Sequence, residues 1–174
     1  MKVFTIGRFQ PYNLMHEEVF ERMKEFGEVA VGLLVNKLTY DNPFTYEERK
    51  EMISEDVDKI FPVPFPPNLF RMRSQLLSEV DDSTFYTRDK DAKILLEIFG
   101  FPTIYEKRRG YSSSMIRKKI FRGDESWKTM VNDRTAEIIE RHEVQERLRK
   151  LKRLPFGKFG KYVDPLLSSL FPAE

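Results

Sequence analysis

Residues 28–35, EVAVGLLV, run almost without a polar break. A strand with one wet face alternates apolar and polar residues. A strand that is apolar at nearly every position is covered on both faces, as in a parallel sheet held between layers of helices. The flanking patterns agree. Residues 2–6 (KVFTI) read as a short strand ending at Gly7, and residues 16–27 (HEEVFERMKEFG) as an amphipathic helix. Val19, Phe20 and Met23 share one face of that helix, Glu17 and Glu18 suit its first turn, and Gly27 is a stop signal.

The alternation continues along the chain. Asn42 and Pro43 mark a turn, and Thr45 with Glu48 makes a capping box for a helix running through Ile53 and Val57. Residues 60–67 (IFPVPFPP) read as a strand entering a proline-stiffened loop. Residues 68–80 read as a helix with Leu69, Met72, Leu76 and Leu77 as its apolar stripe. STFYT (83–87) is a strand, DKDAKILLEIFG (89–100) a helix and PTIYE (102–106) a last short strand. A basic turn leads to a short helix (MIRKKIFRG, 115–123), and one long charged helix is expected over 132–151, with His142 on its surface. This pattern predicts an α/β fold: a doubly wound parallel sheet with helices on both faces and a helical C-terminal region. One domain is expected over 1–153. The Gly- and Pro-punctuated residues 154–174 read as an appendage that docks on the domain, docks on a second subunit or stays free.

Composition excludes several classes. The 174 residues carry no cysteine, so disulfides and thiolate metal sites are excluded, and neither His16 nor His142 has a neighbour at metal-ligand spacing. No run of about 18 apolar residues occurs, so no membrane helix is expected. The start MKVFTIG reads as a strand rather than a secretory signal, which makes cytoplasmic the default location. A net charge of +2 names no partner. The 15 Phe and 7 Tyr are explained by an aromatic core.

In an open parallel sheet, ligands bind beyond the C-terminal ends of the strands. The loop GRFQPYNLMH (7–16) follows the first strand. Gly7 there permits close backbone approach, Arg8 is a permanent planar cation, and His16 opens a helix whose free N–H groups attract anions. Alone, this is equally an ordinary strand-to-helix turn. GYSSSMIR (110–117) offers serine hydroxyls and Arg117 at a second helix start, flanked by Lys107, Arg108 and Arg109. Its bland reading is a capped helix with a solvated basic face. NPFTYEER (42–49) places Arg49 near a helix start, against the dipole, where a bound anion or a salt bridge would account for it.

Together these segments resemble one family. GRFQPYNLMH is similar to the GRFQPxHxGH motif of archaeal-type nicotinamide mononucleotide adenylyltransferases, members of the HxGH nucleotidyltransferase superfamily. NPFTYEER is similar to their NPFTxxER segment, and GYSSSMIR to the ISSTxIR motif. The resemblance covers residues 1 to about 140. It implies a Rossmann-like fold and transfer of an adenylyl group from ATP, accompanied by Mg²⁺, to nicotinamide mononucleotide, with release of pyrophosphate. It implies that His16 donates to the phosphates in the transition state and that Arg8, Arg49 and Arg117 clamp them. Gly7, Phe9, Gln10, Asn13, Ser112, Ser113 and Ser114 are expected to bind substrate, and Asn68 and Phe70 to meet the acceptor base. It is compatible with a homo-oligomer.

The chain departs from the motif at Asn13, where the family has its first His, and at Met15, where it has Gly. Asn13 is then expected to stabilise developing charge less well, with Asn13→His raising the rate, and Met15 to crowd the adenosine. Arg71 stands where the family has a stacking Trp, and Arg88 replaces a glycine near the adenine, which points to a more anionic acceptor. The rival readings are another phosphorylated acceptor or CTP, and a nucleotide-binding protein that has lost turnover. An RNA-binding module on residues 107–122 is the weakest, since no RNP, helix-turn-helix or zinc-finger pattern supports it.

Overall fold

The computed structural model describes residues 2–64 and 69–153. The chain alternates as β1 (Lys2–Gly7), α1 (Leu14–Lys24), β2 (Glu28–Val35), α2 (Tyr46–Ile53), β3 (Lys59–Pro64), α3 (Leu69–Val80), β4 (Ser83–Thr87), α4 (Lys90–Ile98) and β5 (Thr103–Tyr105). Then come α5 (Ser113–Arg122), a 3₁₀ turn (Glu125–Met130), α6 (Asp133–Arg141) and α7 (Val144–Arg153). The strands lie in the order β3-β2-β1-β4-β5, and every neighbouring pair is parallel. The chain winds outward from β1 to β3, then returns to lay β4 against the other side of β1. Ligand crevices of such sheets open at that reversal.

Both faces are covered, as the EVAVGLLV run predicts. Val3, Val29, Val31, Leu33 and Val35 pack into one core with Phe20 and Met23 of α1, Met52 and Ile53 of α2, Ile116 and Ile120 of α5, and Ile138 and Leu148 of α6 and α7. Phe4, Ala30, Phe61, Val63 and Phe85 point the other way, into a core with Met72 and Leu76 of α3 and Leu96 of α4. Val3 and Phe4, adjacent in sequence, serve opposite cores because strand side chains alternate.

Three boundaries differ from the sequence expectation. Helix α1 starts at Leu14, not His16, because Asn13 caps it by accepting from the Met15 amide at 3.1 Å. Helix α2 ends at Ile53 rather than reaching Val57. The Asp56 amide turns back to the Ile53 carbonyl, and Asp58 exchanges bonds with the Val29 backbone, steering the chain into β3 beside β2. The single helix expected over 132–151 is two helices, α6 and α7. Glu143 between them takes a left-handed φ of 47°, and His142 is the C-cap of α6. The appendage at 154–174 lies outside the described residues, and among the described residues no helix is long and apolar enough to cross a membrane.

Candidate active site

A cleft of about 680 Å³ opens between the C-terminal ends of β1 and β4. The first loop, the start of α1, residues 87–89 and the start of α5 wall it. It brings together Gly7, Arg8, Phe9, Gln10, His16, Arg88, Ser112, Ser113, Ser114 and Arg117 from the sequence-predicted set.

The first loop is built largely by packing. A Cβ on Gly7 would lie 2.6 Å from the Phe9 ring, so Gly7 makes room for that ring at the cleft wall. Phe9 accepts a left-handed φ of 45° to place it there. Its centroid lies 4.9 Å from the His16 imidazole, edge to face, and Tyr12 stacks on His16 from another side at 5.9 Å. Gln10 is almost wholly buried, and its side-chain amide both donates to and accepts from the Phe44 backbone, at 3.0 and 2.9 Å. Gln10 thus fastens the first loop to the NPFTYEER segment.

Asn13 lies outside the cleft lining and is 1% exposed. Besides capping α1, it donates to Ser113 Oγ at 3.0 Å, and that hydroxyl donates to the Pro11 carbonyl at 2.9 Å. The residue expected to stabilise charge on the substrate instead ties the starts of α1 and α5 together. Arg49 differs from expectation in the same way. It is fully buried, absent from the cleft lining, and donates to the backbone carbonyls of Thr45, Arg8 and Leu34 at 2.7–3.0 Å. The NPFTYEER segment braces the cleft from behind. Glu48, buried at the start of α2, completes the predicted capping box with Thr45 and takes a two-pronged bond from Arg147 of α7.

Arg117 does reach the cleft. Its Nη1 donates to the Gln10 carbonyl at 2.7 Å and its Nη2 to Asp41 at 3.0 Å, while Nε is buried with no partner among the described residues. Ser112 occupies the N-cap of α5 without a side-chain cap bond, leaving the first amides of that helix open to an anion. Arg88 lines the cleft and pairs with Glu106. Phe70 projects from α3, 88% exposed and outside the lining, and Asn68 lies outside the described residues. The departure at Met15 has a partner: its side chain lies over Gly110, where a Cβ would come within 2.2 Å of the Met15 sulfur.

Charge in the cleft is one-sided. Among the residues that line the cleft, Arg8, Arg88, Arg108, Arg109 and Arg117 outnumber one carboxylate, Asp89, whose side chain caps α4 by accepting from the Asp91 and Ala92 amides; Glu106 and Asp41, outside the lining, pair with Arg88 and Arg117. Burial, with Arg108 and Arg88 nearby, lowers His16 to about 3, so the imidazole is neutral. Its Nδ1 is sealed off without a partner among the described residues, which leaves Nε2 as the nitrogen to donate to a ligand. Thr87 and Asp89 were missed from sequence. The one signal for them was their place at the end of a strand next to the first, and strand order is not written locally.

A Cytidylyltransferase-like family model matches residues 4–119. The nicotinamide-nucleotide adenylyltransferase of Archaeoglobus fulgidus is 30% identical over 176 residues, covering 90% of this chain and all of that protein. The same-named protein of Methanothrix thermoacetophila is also 30% identical, over 88% of this chain and 98% of its own. Among solved structures, a bifunctional NMN adenylyltransferase/ADP ribose pyrophosphatase from Francisella tularensis, complexed with AMP, superposes with a TM-score of 0.63 at 15% identity. That match covers 86% of this chain and about half (51%) of the other, and at such identity the likeness is one of fold. Matched by the family model over most of its length and by full-length archaeal relatives, the chain belongs to the cytidylyltransferase-like family.

Proposed function

We propose that the protein transfers the adenylyl group of ATP to nicotinamide mononucleotide, forming the dinucleotide NAD and releasing pyrophosphate. The observation that carries this reading is the cleft itself: five arginines and an open helix N-terminus at the sheet's reversal point, with Asp89 as the one lining carboxylate and, among the described residues, only Arg88 and Arg117 paired to carboxylates outside the lining. Such a site suits two polyanions and chemistry in which the protein supplies no nucleophile. A phosphate oxygen of the acceptor attacks the α-phosphorus of ATP. The bond from that phosphorus to the bridging oxygen of the pyrophosphate breaks, and no proton need move. Catalysis then rests on alignment and on stabilising charge along the phosphate chain.

In this reading Arg117 and the α5 amides hold the phosphate chain, with Ser112 and Ser114 beside them. Arg8 reaches in from the first loop, and neutral His16 donates from Nε2 to the charge that develops. Arg49, Asn13 and Gln10 hold the walls in place. Mg²⁺ enters with ATP, held chiefly by its phosphates.

Pyrophosphate release from ATP, measured with nicotinamide mononucleotide and its acid analogue, tests the proposal. Activity that needs the acceptor and falls in Arg117→Ala and His16→Ala is the expected result. ATP binding with no pyrophosphate release under either acceptor would overturn it.

A further inference from the structure

Glu106 follows directly after β5 and lies outside the cleft lining. Its amide donates to the Thr87 carbonyl at 3.0 Å, extending the β4–β5 ladder by one bond, so its backbone is fixed. Three donors converge on its carboxylate. The Tyr86 hydroxyl and the Nε and Nη2 of Arg88 (3.4 and 3.3 Å) meet one oxygen, and Arg22 of α1 meets the other at 3.0 Å. Arg22 in turn pairs with Glu18. Tyr86 and Arg88 flank the end of β4 and both line the cleft. The side edge of Arg88 is therefore turned to Glu106, while its Nη1 has no protein partner among the described residues and remains for a ligand.

We infer that Glu106 is a positioning residue for the transfer proposed above: by gripping the Nε–Nη2 edge of Arg88, it presents the remaining guanidinium nitrogen to a phosphate-bearing substrate. The inference rests on that functional reading. A free arginine side chain samples many rotamers and must be ordered when the ligand arrives, whereas one held beforehand binds without that cost. The carboxylate suits the task. Burial works against its ionisation, but the Tyr86 hydroxyl, Arg88 and Arg22 together hold it below the usual carboxylate range. Tyr86, pushed up to about 12 by burial and by Glu106, stays a donor. The bland reading is a surface ion network with no catalytic consequence. The two readings differ in whether Glu106 acts through Arg88.

A double-mutant cycle separates them. Wild type, Glu106→Gln, Arg88→Ala and the double variant are compared in kcat, in KM for ATP and for nicotinamide mononucleotide, and in direct binding of each nucleotide by calorimetry. Expected is a rise of about tenfold in KM and dissociation constant for one nucleotide in Glu106→Gln, with a smaller change in kcat. The loss in Arg88→Ala should be at least as large. In the Arg88→Ala background, Glu106→Gln should then cost less than about twofold. Effects that multiply independently, or a Glu106→Gln variant with wild-type constants, would overturn the inference. Wild type that binds both nucleotides without releasing pyrophosphate would overturn the transferase reading, while the affinity cycle would still decide the role of Glu106. Wild type that binds neither would overturn both.

Discussion

Arg117 divides its guanidinium between the Gln10 carbonyl, Asp41 and the cleft, so truncating it removes a ligand contact and loosens the first loop at once. Arg117→Ala should lower kcat/KM by about 10²–10³, the usual cost of losing a donor to developing charge. Arg49→Met should act differently. It strips three backbone carbonyls of their shared donor in a fully buried place, and should reduce stability by about 3 kcal/mol, read as a shifted denaturant midpoint. His16 carries the pH signature. Its ordinary value of 6.5 falls to about 3 in the folded protein, so above 6.5 it is neutral in both states and contributes no slope. As pH falls from 6.5 towards 3, the unfolded chain takes up a proton that the native state refuses. Stability should drop by up to about 1.4 kcal/mol per pH unit, less to the extent that water in the cleft screens the ring. Denaturation at pH 7 and pH 5 should show the drop in wild type and a smaller one in His16→Gln.

At the scale of elements, the cleft depends on how two helix starts are joined. Asn13 accepts from the Met15 amide and donates to Ser113, so Asn13→Ala loses a cap worth about 1 kcal/mol and the tie to α5 together. Asn13→His, expected from the motif to raise the rate, should now lower it, because a larger ring must enter a site that is 1% exposed. A rate assay on that single variant decides the point. Helices α2 and α7 are joined by Glu48 and Arg147; Arg147→Met leaves a buried carboxylate without its cation and should cost about 2–3 kcal/mol in a denaturant titration. Local signals such as EVAVGLLV, the Thr45–Glu48 capping box and STFYT were legible because each is decided within a few neighbouring residues. The break at Glu143 was not. The apolar spacing does change phase there, Val144 following Ile139 by five residues, but where the chain turns goes with docking α7 against α5, which no local window contains. The roles of Asn13 and Arg49 were hidden for the same reason. Their residue types and spacing agree with ligand binding, and only the packed chain shows that their partners are Ser113, Arg8 and Leu34.

At the scale of the whole molecule, a net charge of +2 conceals a strongly cationic cleft. Five arginines, two of them paired to Glu106 and Asp41, against one lining carboxylate should still attract a polyanion over several ångströms, and mobile ions screen that attraction. KM for ATP should therefore rise several-fold between low salt and about 0.5 M salt, with kcat changing less. Four of the five arginines come from three separate connections, after β1, after β4 and between β5 and α5; the fifth, Arg117, comes from α5 itself, and the 3-2-1-4-5 strand order brings these to one rim. The contact between Met15 and Gly110 bears on how such a chain can vary. The Met15 thioether rests where a Cβ on residue 110 would stand, although the two residues are far apart in sequence, and Gly110 also holds a left-handed φ of 74°. A side chain at 110 would meet backbone strain of its own and would push the flexible methionine aside, so a substitution at either position changes what the other tolerates. Gly110→Ala should accordingly lose stability in either background, from its backbone, and lose somewhat less in a Met15→Gly background than alone, a coupling that a pair of stability measurements can read.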